Sequence, residues 1–172
     1  MILPLLLLAA APQTNAAGIK PAPETTPVAP LPPANPVPYT DPDAANVMAP
    51  VNALFAGIAA RDAAAIATAE LPEGGGATIV IEQPGGARTV SHLAWAAVNA
   101  HFQPGPEKYE ERLEDPAIET DGDVAMVWGN YRFFIDGKLH HCGVDHFDLV
   151  RKDGQWKIAN VTWSQRTTGC GA

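Results

Sequence analysis

The sequence predicts an α+β domain, with N-terminal helices packed on an antiparallel four-strand meander plus one short extra strand. Three observations carry this. Val47, Val51, Leu54 and Ile58 recur at helical spacing and form one apolar stripe. After Pro104-Gly105-Pro106 the hydrophobic pattern changes from helical to alternating. Asp121-Gly122, Asp136-Gly137 and Asp153-Gly154 then punctuate the alternating runs. Asp-Gly between such runs marks tight hairpins, because their turns need positive φ at the central positions.

Taken in order, Asp41-Pro42-Asp43 offers capping carboxylates and a proline suited to a first helical turn. Pro50 is expected to kink the helix that follows or to mark its start. Arg61-Asp62 interrupts it, and Asp62 can cap a second, alanine-rich helix running to about Glu70, ended by Gly74-Gly75-Gly76. "TIVIE" at 78–82 reads as a short strand before a Pro84-Gly85-Gly86 turn. Ser91 can cap a third helix over "HLAWAAVNAHF". The meander strands are expected near 108–119, 123–135, 138–151 and 155–166, with a bulge at Pro116.

Ahead of the domain, "MILPLLLLAAA" is apolar but far short of the roughly twenty residues that span a bilayer. Residues 1–17 read as a secretory signal peptide with small residues for cleavage, although no basic residue precedes the apolar run. Residues 18–43 read as a proline-rich disordered linker, nine of residues 20–43 being proline. Residues 44–172 form the folded domain. Export to the periplasm or the extracellular space is therefore expected. The chain carries 11 Lys and Arg against 19 Asp and Glu, a formal net charge of −8. That balance disfavours nucleic acid and anionic membrane surfaces as partners.

Residues 51–67 ("VNALFAGIAARDAAAIA"), 122–133 ("GDVAMVWGNYRF") and 145–164 ("DHFDLVRKDGQWKIANVTWS") resemble the nuclear transport factor 2-like superfamily, which includes ketosteroid isomerases and polyketide cyclases. The resemblance implies a cone-shaped domain whose helices and curved sheet enclose a pocket. It also implies a homodimer formed through the outer sheet face. It assigns no catalytic residue, because this fold hosts many chemistries.

The densest chemistry lies in "LHHCGVDHFDL" at 139–149. Read as a strand it divides between two faces. His140, Cys142, His146 and Asp148 share one face, and His141 and Asp145 the other. His140 and His146 stand about 20 Å apart, and no neighbouring pair supplies the ligands zinc needs, so no metal site or cofactor is expected.

If Asp136-Gly137 and Asp153-Gly154 are two-residue loops, Asp145 lies between Trp128 and Thr162. Asp145 then shares a pocket face with Phe147, Leu149, Trp156 and Ile158. Trp128, Asn130, Arg132, Asn160, Thr162 and Tyr109 become candidate ligand-binding residues, and Glu111 can join Arg132 and Arg166 at the mouth. Asp145 is the candidate general base, and His141 or Tyr109 a candidate proton donor. A structural carboxylate bonded to Thr162 or Asn160, or paired with Arg132, is the competing reading of Asp145. The opposite face would carry Val127, Gly129, Tyr131, Phe133, Val144, Val161 and Trp163 around His146, apolar enough to call for a partner copy. Cys142 points to that face as well, and Cys170 can fold back to it as a disulfide partner.

Three functions remain open on these residues. The first is an exported dimeric small-molecule-binding domain with an apolar pocket. The second is an isomerase, cyclase or dehydratase using Asp145, and the third is an interaction module recruiting through the proline-rich segment or the outer sheet face.

Overall fold

The computed structural model describes residues 42–171, so the expected signal peptide and most of the linker lie outside the described residues. Helix α1 (Pro42–Ala60) leads, with Val47, Val51, Leu54 and Ile58 all buried. Each such side chain contributes about 1.5–3 kcal/mol on burial. Pro50 lies inside this helix rather than at its start. Helix α2 (Ala63–Ala69) is capped by Asp62, whose Oδ1 accepts from the Ala64 and Ala65 amides at 3.0 Å.

The sheet has six strands, one more than the sequence predicts. They are β1 (Gly76–Glu82), β2 (Arg88–Ala94), β3 (Tyr109–Asp121), β4 (Val124–Ile135), β5 (Lys138–Lys152) and β6 (Gln155–Gln165), in the order β2-β1-β6-β5-β4-β3. The additional strand is β2, which takes the Ser91 cap and the first three residues, His92 to Ala94, of the predicted third helix. Pro84-Gly85-Gly86 turns β1 back into a hairpin, leaving only α3 (Trp95–Asn99) helical. Strand β1 runs parallel to β6, so the sheet is mixed, while the meander β3–β6 is antiparallel.

Three bulges decide which side chains face the helices. Asp115 and Pro116 together oppose Gly129 on β3, with Asp115 at φ 41°. His140 is the extra residue on β5, between the pairs Phe133–His141 and Phe134–Leu139. Ala159 is the extra residue on β6, between Asp148–Asn160 and Leu149–Ile158. Beyond His140 the β4–β5 register is therefore one residue off the value that the Asp136-Gly137 turn implies. A one-residue slip exchanges faces. Asp145 consequently lies opposite Gly129 and Trp163, not Trp128 and Thr162.

The core sits between α1 and the inner face of the sheet, around Val127, Phe147, Leu149 and Ile158. Val127, Tyr131, Phe133, Val161 and Trp163, expected outside, belong to this inner side. Among the described residues no helix is long and apolar enough to cross a membrane.

Candidate functional site

A cavity of about 170 Å³ lies between α1, α3 and the inner sheet face. Leu54, Phe55 and Ile58 reach it from α1, and Trp95 and Val98 from α3. The sheet supplies Phe133, Phe147, Val161 and Trp163. Helix α3 is held by a buried polar contact, in which Asn99 Nδ2 donates to Glu70 Oε2 at 2.9 Å. Burial pushes the Glu70 carboxyl up, and the Asn99 bond partly offsets that. The segment carrying Phe102 into the cavity is fixed by Arg61, whose Nε donates to the Gln103 carbonyl at 2.7 Å and whose guanidinium also pairs with Glu107.

Five polar side chains converge on this apolar space: Glu111, Tyr131, His141, Asp145 and Gln165. Their arrangement follows from register. Glu111 is opposite Phe133, Tyr131 lies two residues before Phe133 on β4, and Asp145 is opposite Gly129, two residues before Tyr131. Tyr131 thus occupies the row between the two carboxyl-bearing rows. Glu111 and Asp145 share a side-chain hydrogen bond. Two carboxyl groups can do so only when one is protonated.

One proton holds the two groups together, and Asp145 is only 3% exposed. Burial raises its pKa first, followed by the Glu111 charge and the hydrogen bond donated to Glu111. Burial also raises Glu111, to about 7, with the Asp145 bond pulling the other way. The two titrate as a coupled pair. The Tyr131 hydroxyl is pushed well up by burial and by both carboxyl groups, so it stays a phenol. His141 is lowered to about 4 by burial and by neighbouring His140, so it is neutral at pH 7. Asp145 Oδ2 and the Tyr131 hydroxyl are buried without a hydrogen-bond partner.

Of the residues expected at the site, His141 and Asp145 line the cavity. Trp128, Asn130, Arg132, Asn160 and Thr162 do not. The His140 and Ala159 bulges put them on the outer face, where Trp128 is 48% exposed and its ring lies 5.7 Å from that of His146. Arg132 pairs with Glu114 at 3.2 Å rather than with Asp145. Tyr109 also stands outside the cavity wall, its ring 5.4 Å from Phe133 and covered by Arg61 at 4.5 Å. Glu111 is not at an arginine-lined mouth but against Asp145.

The residues that the sequence reading missed are Tyr131, Phe133 and Trp163, and its signal for them was already present: they were too apolar for a solvent face. Cys142 and Cys170 form a disulfide with Cα atoms 5.6 Å apart, pinning the C-terminal tail to β5. Among the described residues, no three His, Cys, Asp or Glu side chains gather in a metal-binding group.

An α+β sheet that curves around one apolar cavity is the nuclear transport factor 2-like architecture, and solved structures of that class resemble this chain. A Novosphingobium aromaticivorans nuclear transport factor 2-like protein with a cystatin-like fold aligns with TM-score 0.57 at 14% identity, over 74% of this chain and 84% of that one. A Silicibacter pomeroyi member of unknown function gives 0.53 at 16% identity, over 72% and 96%. A Streptomyces avermitilis member described as a "putative dehydratase" gives 0.54 at 16%, over 73% and 97%. At these identities the likeness shows the fold. No curated protein matches the chain. More specifically, the chain belongs to the family described as "Putative lumazine-binding", whose pattern matches residues 42–164.

Proposed function

We propose that the domain binds one small apolar or amphipathic molecule in the cavity beneath α1 and α3. The observation that carries this reading is the contrast inside the cavity: mainly apolar walls, with unpartnered buried polar atoms on three lining residues, Asp145, Tyr131 and Trp95. Buried polar groups are ordinarily satisfied, so such atoms mark where a ligand's polar group would sit. A dry cavity on the order of 150 Å³ accepts a single aromatic ring, so the size fits a compact molecule. The family description adds lumazine to the molecules worth testing. Thermal shift and tryptophan fluorescence across one- and two-ring ligands test this. No shift with any of them would count against ligand binding.

A second reading has its own observation, the coupled carboxyl pair. In an isomerase, cyclase or dehydratase the pair would divide the work differently from the sequence expectation. Glu111, near neutral, is the base, and protonated Asp145 is the acid. Retained turnover in both Glu111→Gln and Asp145→Asn would rule out that role.

The same proposal places the protein outside the cytoplasm, supported by the Cys142–Cys170 bond, since disulfides persist in oxidising compartments. It also has two copies pair through the outer sheet face. Tyr131 and Trp163 are not available for that contact. Trp128 and Val124, 48% and 60% exposed, take their place.

A further inference from the structure

We infer that the ligand class of this cavity is small organic cations, meaning an ammonium or protonated amine carried on a body of about one aromatic ring. The inference rests on the cavity-binding reading and adds the ligand's charge to it. Besides Tyr131, six aromatic side chains, Phe55, Trp95, Phe102, Phe133, Phe147 and Trp163, face the same space as Glu111 and Asp145. Aromatic faces attract cations through their quadrupole, and the attraction grows where water is excluded. Neither Lys nor Arg lines the cavity, so the acidic pair has no basic partner within it.

A purely apolar ligand would leave Asp145 Oδ2 and the Tyr131 hydroxyl unsatisfied, and an anion would be repelled by the acids. A cation satisfies the acceptor and the charge together. The titratable groups facing the ligand are Glu111 from β3, Tyr131 from β4, and His141 and Asp145 from β5. The residues of α1, α3 and β6 lining the cavity do not titrate. The Arg166 charge reaches only as far as Tyr131 among these groups. His141 is neutral and does not compete as a cation.

Entry of the cation displaces the proton that the two carboxyl groups share, which leaves to solvent. Affinity should therefore rise with pH through neutrality.

Calorimetry with benzylamine, benzyl alcohol and benzoate tests the inference on the full chain. Benzylamine should bind at least tenfold tighter than benzyl alcohol at pH 8, and benzoate should not bind. Repeating the titration in buffers of different ionisation enthalpy should show proton release on amine binding. Glu111→Gln should lose most of the preference for the amine. Should that variant fail to fold, the wild-type pH series carries the same test. Benzyl alcohol or benzoate binding as tightly as benzylamine overturns the cation inference but leaves the cavity reading standing. Failure of all three probes overturns both.

Discussion

Glu111 and Asp145 lie on β3 and β5, strands separated by β4, yet their carboxyl groups share a hydrogen bond. The contact crosses Tyr131, whose hydroxyl feels both charges. A buried acid pair without a buried base costs stability whenever both members ionise, so the protein should carry a measurable electrostatic burden.

The pH dependence of folding should show it. Both carboxyl groups are raised above their unfolded values, so their contribution is fully present below about pH 4 and is lost as pH rises through about 7 and beyond. His141 acts oppositely: its folded value of about 4 means that its contribution is present above about 6.5 and lost as pH falls. Above pH 6.5 His141 no longer contributes to the slope. Stability from urea midpoints should fall between pH 6.5 and 8.5 by on the order of 1–3 kcal/mol. In Glu111→Gln that slope should shrink, leaving the part that comes from the burial of Asp145.

Tyr131→Phe removes a buried hydroxyl that has no partner. The folded protein loses no hydrogen bond and sheds a desolvation penalty, so thermal unfolding should stay level or rise by up to about 1 kcal/mol. A loss of more than that would mean that the hydroxyl is bonded, for example through water.

Reducing the Cys142–Cys170 bond frees a tail closed over a sequence separation of 28 residues. Loop entropy sets the expected cost at about 3.5 kcal/mol. Denaturation with and without reductant, and of Cys170→Ser, should agree on that figure. Cleaner still is mass spectrometry, where two free thiols in protein purified without reductant would contradict the bond.

Gly143 has no room for a side chain, because an added Cβ would overlap the Ser164 carbonyl on β6. Backbone cannot rotate away as a side chain can, so Gly143→Ala should cost roughly 2–3 kcal/mol. Gly129→Ala meets the Leu113 side chain first and should cost less. Equal costs would mean that β5 and β6 can separate locally.

On the outer face, Trp128→Glu should change monomer stability by within about 0.5 kcal/mol, since the ring is 48% exposed. Light scattering should nonetheless report a shift from dimer to monomer. An unchanged mass, or a wild type that is already monomeric at micromolar concentration, would remove the outer face as an interface.

Much of this fold was legible because its signals are local. The α1 stripe, the Asp62 cap and the three Asp-Gly turns each act within a few residues, and the meander strands end close to where those turns place them. Pro116 likewise announces its own bulge. His140 and Ala159 do not, because neither residue type marks a bulge. Extending the register from the turns therefore carried Trp128, Asn130 and Arg132 inward and Tyr131 and Trp163 outward. Asp145 and His141 escaped the error because Phe147 and Leu149 on their own strand already mark the interior. The Glu111–Asp145 contact was beyond sequence reasoning altogether, since it joins strands that are not neighbours. Strand β2 was hidden by "HLAWAAVNAHF", whose alanines favour a helix that the β1 hairpin overrides.

The unpaired residues His140 and Ala159 also give their strands slack in length. Losing one residue elsewhere in the same stretch could be absorbed by straightening the kink, and Asp145 would still meet Gly129. Without that reserve, any single deletion would act on the strand as a frameshift acts on a message, turning every downstream side chain to the wrong side. The interior chemistry of this sheet is thus buffered against changes in chain length that would scramble an unbulged one.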